Sequence, residues 1–508
     1  MRRPGSMDLL MHHMAQTQPA IGQTMGAFLH LQGTPPPLEA LRKHVHAHLH
    51  RLPRLTHYLH GPGLKARWQH DPEPDLRIRV RHHVVPAGDD GLAAAVSDLT
   101  TRPLPDRGPL WDLWLITGHA PDRYTLCCRA HHSTQDGMGM LNTLLTLFGT
   151  PPPSSPLPKS RPSVGTYLQT IRDTLAATAP TGVWDDPLHP LSGRRASTWA
   201  ELPTEQLRTA ALPRRGDTND AFLAVLSGAL RTWSTEHWPQ GRGRPLPATS
   251  MVNLRRPEER DVPGNLFTFA AAPLPSHLPE FDARLDHVIA TTRSTKDPAR
   301  QTALRDLMDR TPARVFRAVA TRLTTPERAA ITTSYVAVHR PLAFRGDPVV
   351  AVQPFDWLPH NQPACVVACS YNGMTSVYFA TDAALPGLDR LSALFLEEAD
   401  RSPTAAAAPE APAVAPVPAT MADQTHPPTV DFPFVKAILV DYAGLPAEAI
   451  TPDAGQADAG IDSMAHTVLS MALEDRLGLD VTERELAEQP TVDALVGFLA
   501  RRSAERTP

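Results

Sequence analysis

Tyr124-Thr125-Leu126-Cys127-Cys128-Arg129-Ala130-His131-His132-Ser133-Thr134-Gln135-Asp136-Gly137, with the apolar run Met138 to Phe148 behind it, decides how this chain is read. The first seven residues have the length and β-prone start of a strand. After Gly137, apolar residues at Met138, Leu141, Leu144, Leu145 and Phe148 recur at helical spacing. A strand that hands over to a helix in so few residues leaves only a short loop between them, and that loop carries His132 and Asp136. Loops held on a rigid scaffold are where chemistry usually sits. Imidazole, with an ordinary pKa near ~6.5, can take a proton from an alcohol, thiol or amine as it attacks an acyl carbon. Asp136 is better placed to hold the loop than to touch substrate, and Gly137 lets backbone approach closely. The plainer alternative is that Asp136 N-caps the following helix and the two histidines end a core strand. Two other pairs, His12-His13 and His82-His83, lack an Asp-Gly after three intervening residues.

The string His131-His132-x-x-x-Asp136-Gly137 resembles the signature of the acyltransferase superfamily that contains nonribosomal peptide condensation domains, carnitine and chloramphenicol acyltransferases, and bacterial wax ester synthase/diacylglycerol acyltransferases. Pro109-Leu110-Trp111-Asp112-Leu113-Trp114-Leu115-Ile116 is similar to the Pro-Leu-Trp-acidic stretch of the wax ester synthase branch. So are the amino-terminal stretch from Met7 through Arg51-Leu52-Pro53-Arg54-Leu55, Asn219-Asp220, Asn253-Leu254-Arg255-Arg256-Pro257, Gly264-Asn265 and Ser370-Tyr371-Asn372-Gly373. The resemblance runs discontinuously from about Met7 to about Ala399. It implies an α/β, two-lobed condensation fold of the chloramphenicol-acetyltransferase type, with a substrate channel between the lobes and His132 at its midpoint. It also implies catalytic roles for His132, Asp136, His131 and Gly137.

A chain of 508 residues exceeds one ordinary core. Its 42% hydrophobic and 20% charged residues are a globular composition. The formal charge of −4 does not suggest a nucleic-acid binder, but its distribution is uneven. Residues 431–508 hold 14 Asp+Glu and 6 Lys+Arg, a net −8, which leaves +4 on the rest. The four cysteines, Cys127, Cys128, Cys365 and Cys369, fit neither a disulfide framework nor a zinc site. The start, Met-Arg-Arg-Pro-Gly-Ser-Met, lacks the apolar core of a signal peptide, and no stretch approaches 18 apolar residues. These features lead us to expect a cytoplasmic protein with no membrane span.

Leu38, Leu41, Val45, Leu49 and Leu52 lie at helical spacing up to Pro53, interleaved with His44, His46, His48 and His50. On a helix those histidines splay, so a solvated face is expected rather than a metal site, and no metal is expected anywhere. Residues 77–85, 113–116 and 124–130 read as strands, which completes a first lobe over 1–150. A Pro-rich crossover, 151–165, follows, because neither a helix nor a central strand accepts such a run. The second lobe, 166–400, is expected to hold helices near 220–233, 281–294, 301–322 and 388–399. Its strands are expected near 246–252, 267–274, 349–353, 364–371 and 375–380. Residues 401–430, rich in Ala and Pro, read as a linker that spans roughly 90 Å if polyproline-like and about 30 Å as a coil.

The remaining 431–508 carries Gly460-Ile461-Asp462-Ser463-Met464 between two helical patterns. This resembles an acyl or peptidyl carrier protein of four short helices, with Gly-x-Asp-Ser-Met as the attachment sequence for 4′-phosphopantetheine. Ser463 is then the attachment residue, and Asp462 beside it suits the modifying enzyme. A Ser at a helix start favours a phosphodiester there, because free N–H groups and the helix dipole stabilise negative charge. As an ordinary residue, Ser463 would be an N-cap.

The two resemblances together imply acyl transfer from a phosphopantetheinyl carrier thioester to an alcohol or amine, in a polyketide or nonribosomal peptide setting. The expected partners are the acyl thioester donor (carrier-bound or CoA), the small acceptor, a phosphopantetheinyl transferase and other synthase modules. Wax ester or triacylglycerol synthesis from acyl-CoA is one alternative, and a noncatalytic docking platform that carries an acyl carrier domain is another. Two departures bear on the acceptor side. Wax ester synthases usually show Ser-Asn-Val-Pro-Gly-Pro where this chain has Ser334-Tyr335-Val336-Ala337-Val338-His339, and Phe355-Asp356-Trp357 does not amount to the Asp-Phe-Gly-Trp-Gly of condensation domains. Ser133 or backbone N–H groups near Gly137 are candidate oxyanion donors, and Arg255 is a candidate partner for Asp136.

Overall fold

The computed structural model describes residues 3–18, 22–150, 162–177, 189–238, 243–323, 330–359, 362–402 and 430–441, and, in the last domain, 445–461, 465–466, 469–470, 473, 479 and 481–504. Most of the Pro-rich crossover and of the linker, together with Asp462 and Ser463, lie outside the described residues. The chain divides into two compact units, 1–203 with 223–400, and 204–222 with 401–508.

Fourteen strands are found among the described residues: β1 (Thr24–Gln32), β2 (His57–His60), β3 (Arg67–His70), β4 (Val80–Val84), β5 (Trp111–Thr117), β6 (Arg123–His131), β7 (Arg195–Pro203), β8 (Ala248–Asn253), β9 (Phe267–Ala271), β10 (Ile331–Val338), β11 (Ala343–Phe344), β12 (Asp347–Phe355), β13 (Ala364–Tyr371) and β14 (Met374–Asp382). They form two six-stranded sheets, β11-β12-β1-β6-β5-β4 and β7-β14-β13-β10-β8-β9, and the hairpin β2-β3. Both sheets are mixed: β4 runs parallel to β5, and β10 runs parallel to both β8 and β13, while the other pairs are antiparallel. The architecture is α/β, with helices packed on the sheets. The β13-β14 hairpin turns at Asn372 and Gly373, both in the left-handed region (φ 50° and 77°), as a two-residue turn requires.

β1 lies at the centre of the first sheet, with β6 on one side and β12 on the other. One of its faces, Met25, Ala27, Leu29 and Leu31, joins the core formed with helices Leu38–His48 and Gly137–Phe148. Phe28 on the opposite face joins a second core with Trp114, Cys127, Phe355, Val367 and Tyr378, which draws on both sheets. Burying both faces at ~25 cal/mol per Å² of apolar area makes β1 one of the strands on which the fold depends most. β12 follows helices and strands of the second sheet in sequence, yet it closes onto β1 in the first sheet.

Several local expectations change. Residues 77–85 are not one strand: a helical turn, Leu76–Arg79, is capped by the Asp75 side chain (Arg77 N–H at 2.8 Å) and precedes β4. Arg79 is then buried, donating to the carbonyl oxygens of Pro109 and Trp111. The stretch 301–322 is two helices, Pro298–Arg310 and Ala313–Leu323. Pro312 disfavours a helical conformation at Thr311, which is extended (φ −75°, ψ 125°). His46 and His50 are exposed, but His44 and His48 are half-buried and engaged. His44 Nε2 lies 2.5 Å from the Leu147 carbonyl, and His48 Nδ1 lies 2.8 Å from the His44 carbonyl. No group of His, Cys, Asp and Glu that could hold a metal occurs among the described residues. The four cysteines are free and buried.

Within the first sheet, Arg129 and Asp112 form an ion pair that is almost completely buried (Nη2 to Oδ2 2.6 Å). Arg129 also donates to the carbonyl oxygens of Leu99 and Arg102. The acidic residue of the Pro-Leu-Trp-Asp stretch therefore holds the sheet to the end of helix Asp89–Thr101.

The other unit has its own core, in which Val435, Ile438, Leu439, Ile450, Leu486, Val492, Leu495 and Leu499 meet. Helices Phe432–Asp441, Glu483–Ala487 and Val492–Ala504 supply most of these side chains. Gly460 sits in the left-handed region (φ 75°), and Ile461 N–H donates to the Gln456 carbonyl at 2.8 Å. That turn leads the chain into Asp462 and Ser463.

Candidate active site

The strand β6 ends where His131 N–H donates to the Leu110 carbonyl and His132 N–H to the Gln23 carbonyl, each at 2.9 Å. Thr134 N–H and its hydroxyl then both donate to the His131 carbonyl, which turns the chain away from the sheet. His132, Ser133, Thr134, Gln135 and Asp136 are all buried. A buried loop must satisfy its polar groups internally, and the second half of the chain supplies the partners. Gly264 N–H donates to the Thr134 carbonyl (2.7 Å), and Asn265 Nδ2 donates to the His132 carbonyl (2.8 Å). Asp8 of helix Ser6–Thr17 accepts from the Asn265 N–H (2.5 Å). Gly264 has φ 100°, and a Cβ there would lie 2.6 Å from the Asp8 carboxylate, so glycine is required on both counts.

Asp136 is the N-cap of helix Gly137–Phe148, as Oδ1 accepts from the Gly139 N–H at 2.7 Å. It is also an interlobe clamp. Oδ2 accepts from the Leu266 N–H (2.7 Å), and Arg255 Nη2 lies 3.0 Å from both carboxylate oxygens. Arg255 is fixed in turn by the carbonyl oxygens of Glu259, Val262 and Gly264. Burial pushes the Asp136 carboxyl up, but Arg255, the two N–H donors and Arg54 outweigh it and hold it below the usual carboxylate range. Arg54 is buried beside this cluster with no hydrogen-bond partner for its guanidinium, and burial brings it down to about 9.

The two histidines separate. His132 lines a cavity of ≈ 140 Å³ between β1, β10, β12 and helix Gly137–Phe148, and its ring packs edge-on to Phe267 (5.6 Å) and Trp357 (6.4 Å). Its Nδ1 is buried without a hydrogen-bond partner. Asp136 and Gly137 also border the cavity, and its walls are otherwise largely apolar, among them Met138, Met140, Leu141 and Val336. A cavity of ~150 Å³ is about what one benzene ring fills. The Ser334–Val338 stretch and Phe355-Asp356 lie in this wall as well, so the segments that depart from the related motifs face the same space.

His131 is not among the residues that line the cavity. Its Nδ1 accepts from the Ser133 N–H (3.1 Å) and lies 2.8 Å from the Ser133 hydroxyl. Ser133, expected as an oxyanion donor, is therefore engaged with His131. Burial, then His132 and His12, push the His131 imidazole down to about 3. Between pH ~6.5 and 3 the unfolded chain binds a proton on this ring that the folded chain refuses. Stability therefore decreases as pH is lowered through that window, by up to ~1.4 kcal/mol per pH unit. In His131→Asn the stability–pH curve is expected to flatten by one proton below pH ~6.5. Urea unfolding at stepped pH measures this, and an unchanged slope would refute it.

Asp8, Asn265, Phe267, Trp357 and Asp356 complete the site. Asp8 and Gly264-Asn265 fell within the similar stretches and Asp356-Trp357 within a segment that departs from a related motif, but nothing local gave any of them a role at the site, and Phe267 carried no signal at all.

Three family models match the chain: the wax ester synthase/diacylglycerol acyltransferase catalytic domain over residues 6–179, the C-terminal domain of the same family over 263–400, and a phosphopantetheine attachment site over 433–499. A candidate diacylglycerol O-acyltransferase of Mycobacterium tuberculosis is 27% identical over 239 residues, which are 39% of this chain and 50% of the relative. One of Mycobacterium bovis is 29% identical over 274 residues, 45% and 54% respectively. The chain thus spans about half the length of these relatives. Among solved structures, the wax ester synthase/diacylglycerol acyltransferase of Marinobacter aquaeolei VT8 superimposes with TM-score 0.54 at 17% identity, over 79% of this chain and 98% of that one. The first condensation domain of the CDA synthetase gives 0.55 at 17% identity, over 79% and 98%. A starter condensation domain of rhizomide synthetase, in complex with C8-CoA, gives 0.54 at 14% identity, over 78% and 94%. At these identities the likeness establishes the fold.

Proposed function

The chain belongs to the wax ester synthase/diacylglycerol acyltransferase-like members of the condensation-fold acyltransferases and carries a C-terminal phosphopantetheine-bearing carrier domain, and we propose that the two act on one acyl group. The reaction is acyl transfer from a carrier thioester to an alcohol or amine, with formation of an ester or amide. One observation carries this reading: His132 presents its imidazole to an apolar cavity while Asp136, in the same loop, is wholly occupied in holding the lobes together.

When bound, 4′-phosphopantetheine supplies a thiol that holds the acyl group as a thioester, and Ser463 is its attachment residue. The Gly460-Ile461 turn, which leads out of the carrier core into Asp462-Ser463, fits such an arm. His132 Nε2 takes the proton from the acceptor's hydroxyl or amine as that atom bonds to the acyl carbon. It then returns the proton to the departing sulfur as the C–S bond breaks. Gly137 and Met138 border the same space, and their backbone N–H groups, the first of helix Gly137–Phe148, are the donors that would stabilise the acyl oxygen as it gains charge. The apolar wall receives the acyl chain. His131 keeps the loop in place through Ser133.

The fused carrier favours a natural-product pathway, since a tether raises the local donor concentration toward the millimolar range. A phosphopantetheinyl transferase is the required partner, and other synthase modules deliver or receive the acyl group. No helix among the described residues is long and apolar enough to cross a membrane, and a cytoplasmic setting is the one these proposed partners would share. Neutral-lipid synthesis from acyl-CoA is the second reading, favoured by the names of the mycobacterial relatives.

Intact-protein mass spectrometry tests both. Wild type is loaded by a phosphopantetheinyl transferase with acyl-CoA and then offered alcohols and amines. Discharge of the acyl mass to one acceptor class is expected, and Ser463→Ala is expected to neither load nor transfer. Turnover of free acyl-CoA by Ser463→Ala at the wild-type rate would favour the lipid reading. Loading that no acceptor discharges would leave the carrier as an acceptor or the body as a docking platform.

A further inference from the structure

A histidine that gains a proton inside an apolar cavity needs a nearby negative charge, and the acid of its own loop is unavailable. Asp136 already holds Arg255 and two backbone N–H groups. His132 Nδ1 has no hydrogen-bond partner. The other carboxyl group in the cavity wall is Asp356, immediately after β12. Its Oδ1 accepts from the Trp357 N–H at 2.9 Å, and its carbonyl accepts from Arg195 Nη1 at 2.9 Å. The next residue, Trp357, is the one whose ring packs on His132. The carboxyl is thus fixed at its root by β12 and Arg195, on a segment that also touches the imidazole.

The geometry points to Asp356 as a positioning residue whose carboxylate, across the cavity from His132, stabilises the imidazolium that forms during acyl transfer. This deepens the proposed function and rests on His132 being the base. Burial outweighs the opposing pull of His132, the Trp357 N–H and Arg195 and leaves the Asp356 carboxyl above the usual carboxylate range, so a charged ring opposite is what favours its carboxylate form. The other charged or titratable groups around the pair are committed. Arg255 is tied to Asp136, Asp8 to Asn265, and His131 is held uncharged by burial. On the side of β13, burial keeps the Cys365 thiol protonated, and on β14 it raises the Tyr378 hydroxyl to about 12. His12 bonds the Gly61 carbonyl. No proton is gained or lost by Asp356 in the cycle: the proton passes from acceptor to His132 to sulfur.

The test is the pH dependence of single-turnover discharge from the loaded full-length protein, for wild type, Asp356→Asn, Asp356→Glu and His132→Ala. In Asp356→Asn the acid limb of the profile is expected to move to lower pH by up to about one unit, because the imidazolium has lost its counter-charge, and the plateau is expected to fall about tenfold. Asp356→Glu is expected to return the acid limb toward wild type, which a merely structural residue would not do. An unmoved acid limb in Asp356→Asn, with His132→Ala inactive, overturns the role of Asp356 and leaves the base in place. Transfer that survives in His132→Ala overturns the base itself. Should Asp356→Asn fail to fold, wild type labelled with 13C at aspartate carboxyls decides. The Asp356 resonance is expected to respond at the pH where His132 titrates, and an independent response overturns the proposal.

Discussion

Asp136→Ala is expected to lower the unfolding free energy of the acyltransferase body by about 3–5 kcal/mol, the cost of removing one partner from a buried ion pair. Arg255 is left charged among carbonyl groups, Arg54 loses the carboxylate that most favours its charge, and the N–H groups of Gly139 and Leu266 lose their acceptor. Tryptophan fluorescence in a urea series measures it cleanly, since all eight tryptophans precede residue 358 and none lies in the carrier domain. A loss below about 1 kcal/mol, the level of an exposed pair, would refute the clamp. The pH dependence has a definite sign. The folded-state carboxyl lies below its ordinary value, so its contribution is complete above the usual carboxylate range and disappears as pH falls through the folded value. The gap between wild type and Asp136→Asn therefore narrows in acid.

His132→Ala is expected to slow discharge of the loaded carrier by about 10²- to 10⁴-fold, the usual worth of a general base. Its stability cost is expected to be only about 1 kcal/mol, because the ring makes packing contacts with Phe267 and Trp357 but no side-chain hydrogen bond. Carrier loading is expected to be unchanged. His131→Ala is the comparison: it keeps the base but loses the Ser133 contact that holds the loop, so its loss of rate is expected to be smaller than that of His132→Ala. Equal losses in the two variants would show that the loop's shape, rather than the base, had been removed.

The loop was legible because its signals are local: a seven-residue run with a β-prone start, a helical apolar period and the Asp-Gly between them. β1 was not, although it is central. Both faces of Thr24–Gln32 are covered, so no alternation marks it, and Gly26 interrupts its β-propensity. β10 was missed for the same reason: six residues of Ile331–Val338 are apolar or β-branched, with no polar face. The strand at 347–355 was read as a strand, but its partner could not be. Pairing with β1, more than 300 residues earlier, is a property of topology rather than of either segment. The same holds for Asp8, Asn265 and Asp356, whose roles exist only once distant segments meet.

Synthesis order gives the late return of β12 a further consequence. A ribosome releases His132 long before Arg255, Gly264 or Phe355, so the His132–Asp136 loop emerges without the second-half groups that will bury it. The first sheet stays two strands short until its last members leave the exit tunnel. Until then β1 has an open edge, and the chain is exposed to misassociation for the time that more than 200 further residues take to be translated. Expression at lower temperature or with a chaperone is expected to help the intact body, and a truncation ending near residue 340 is expected to aggregate rather than yield a free first lobe.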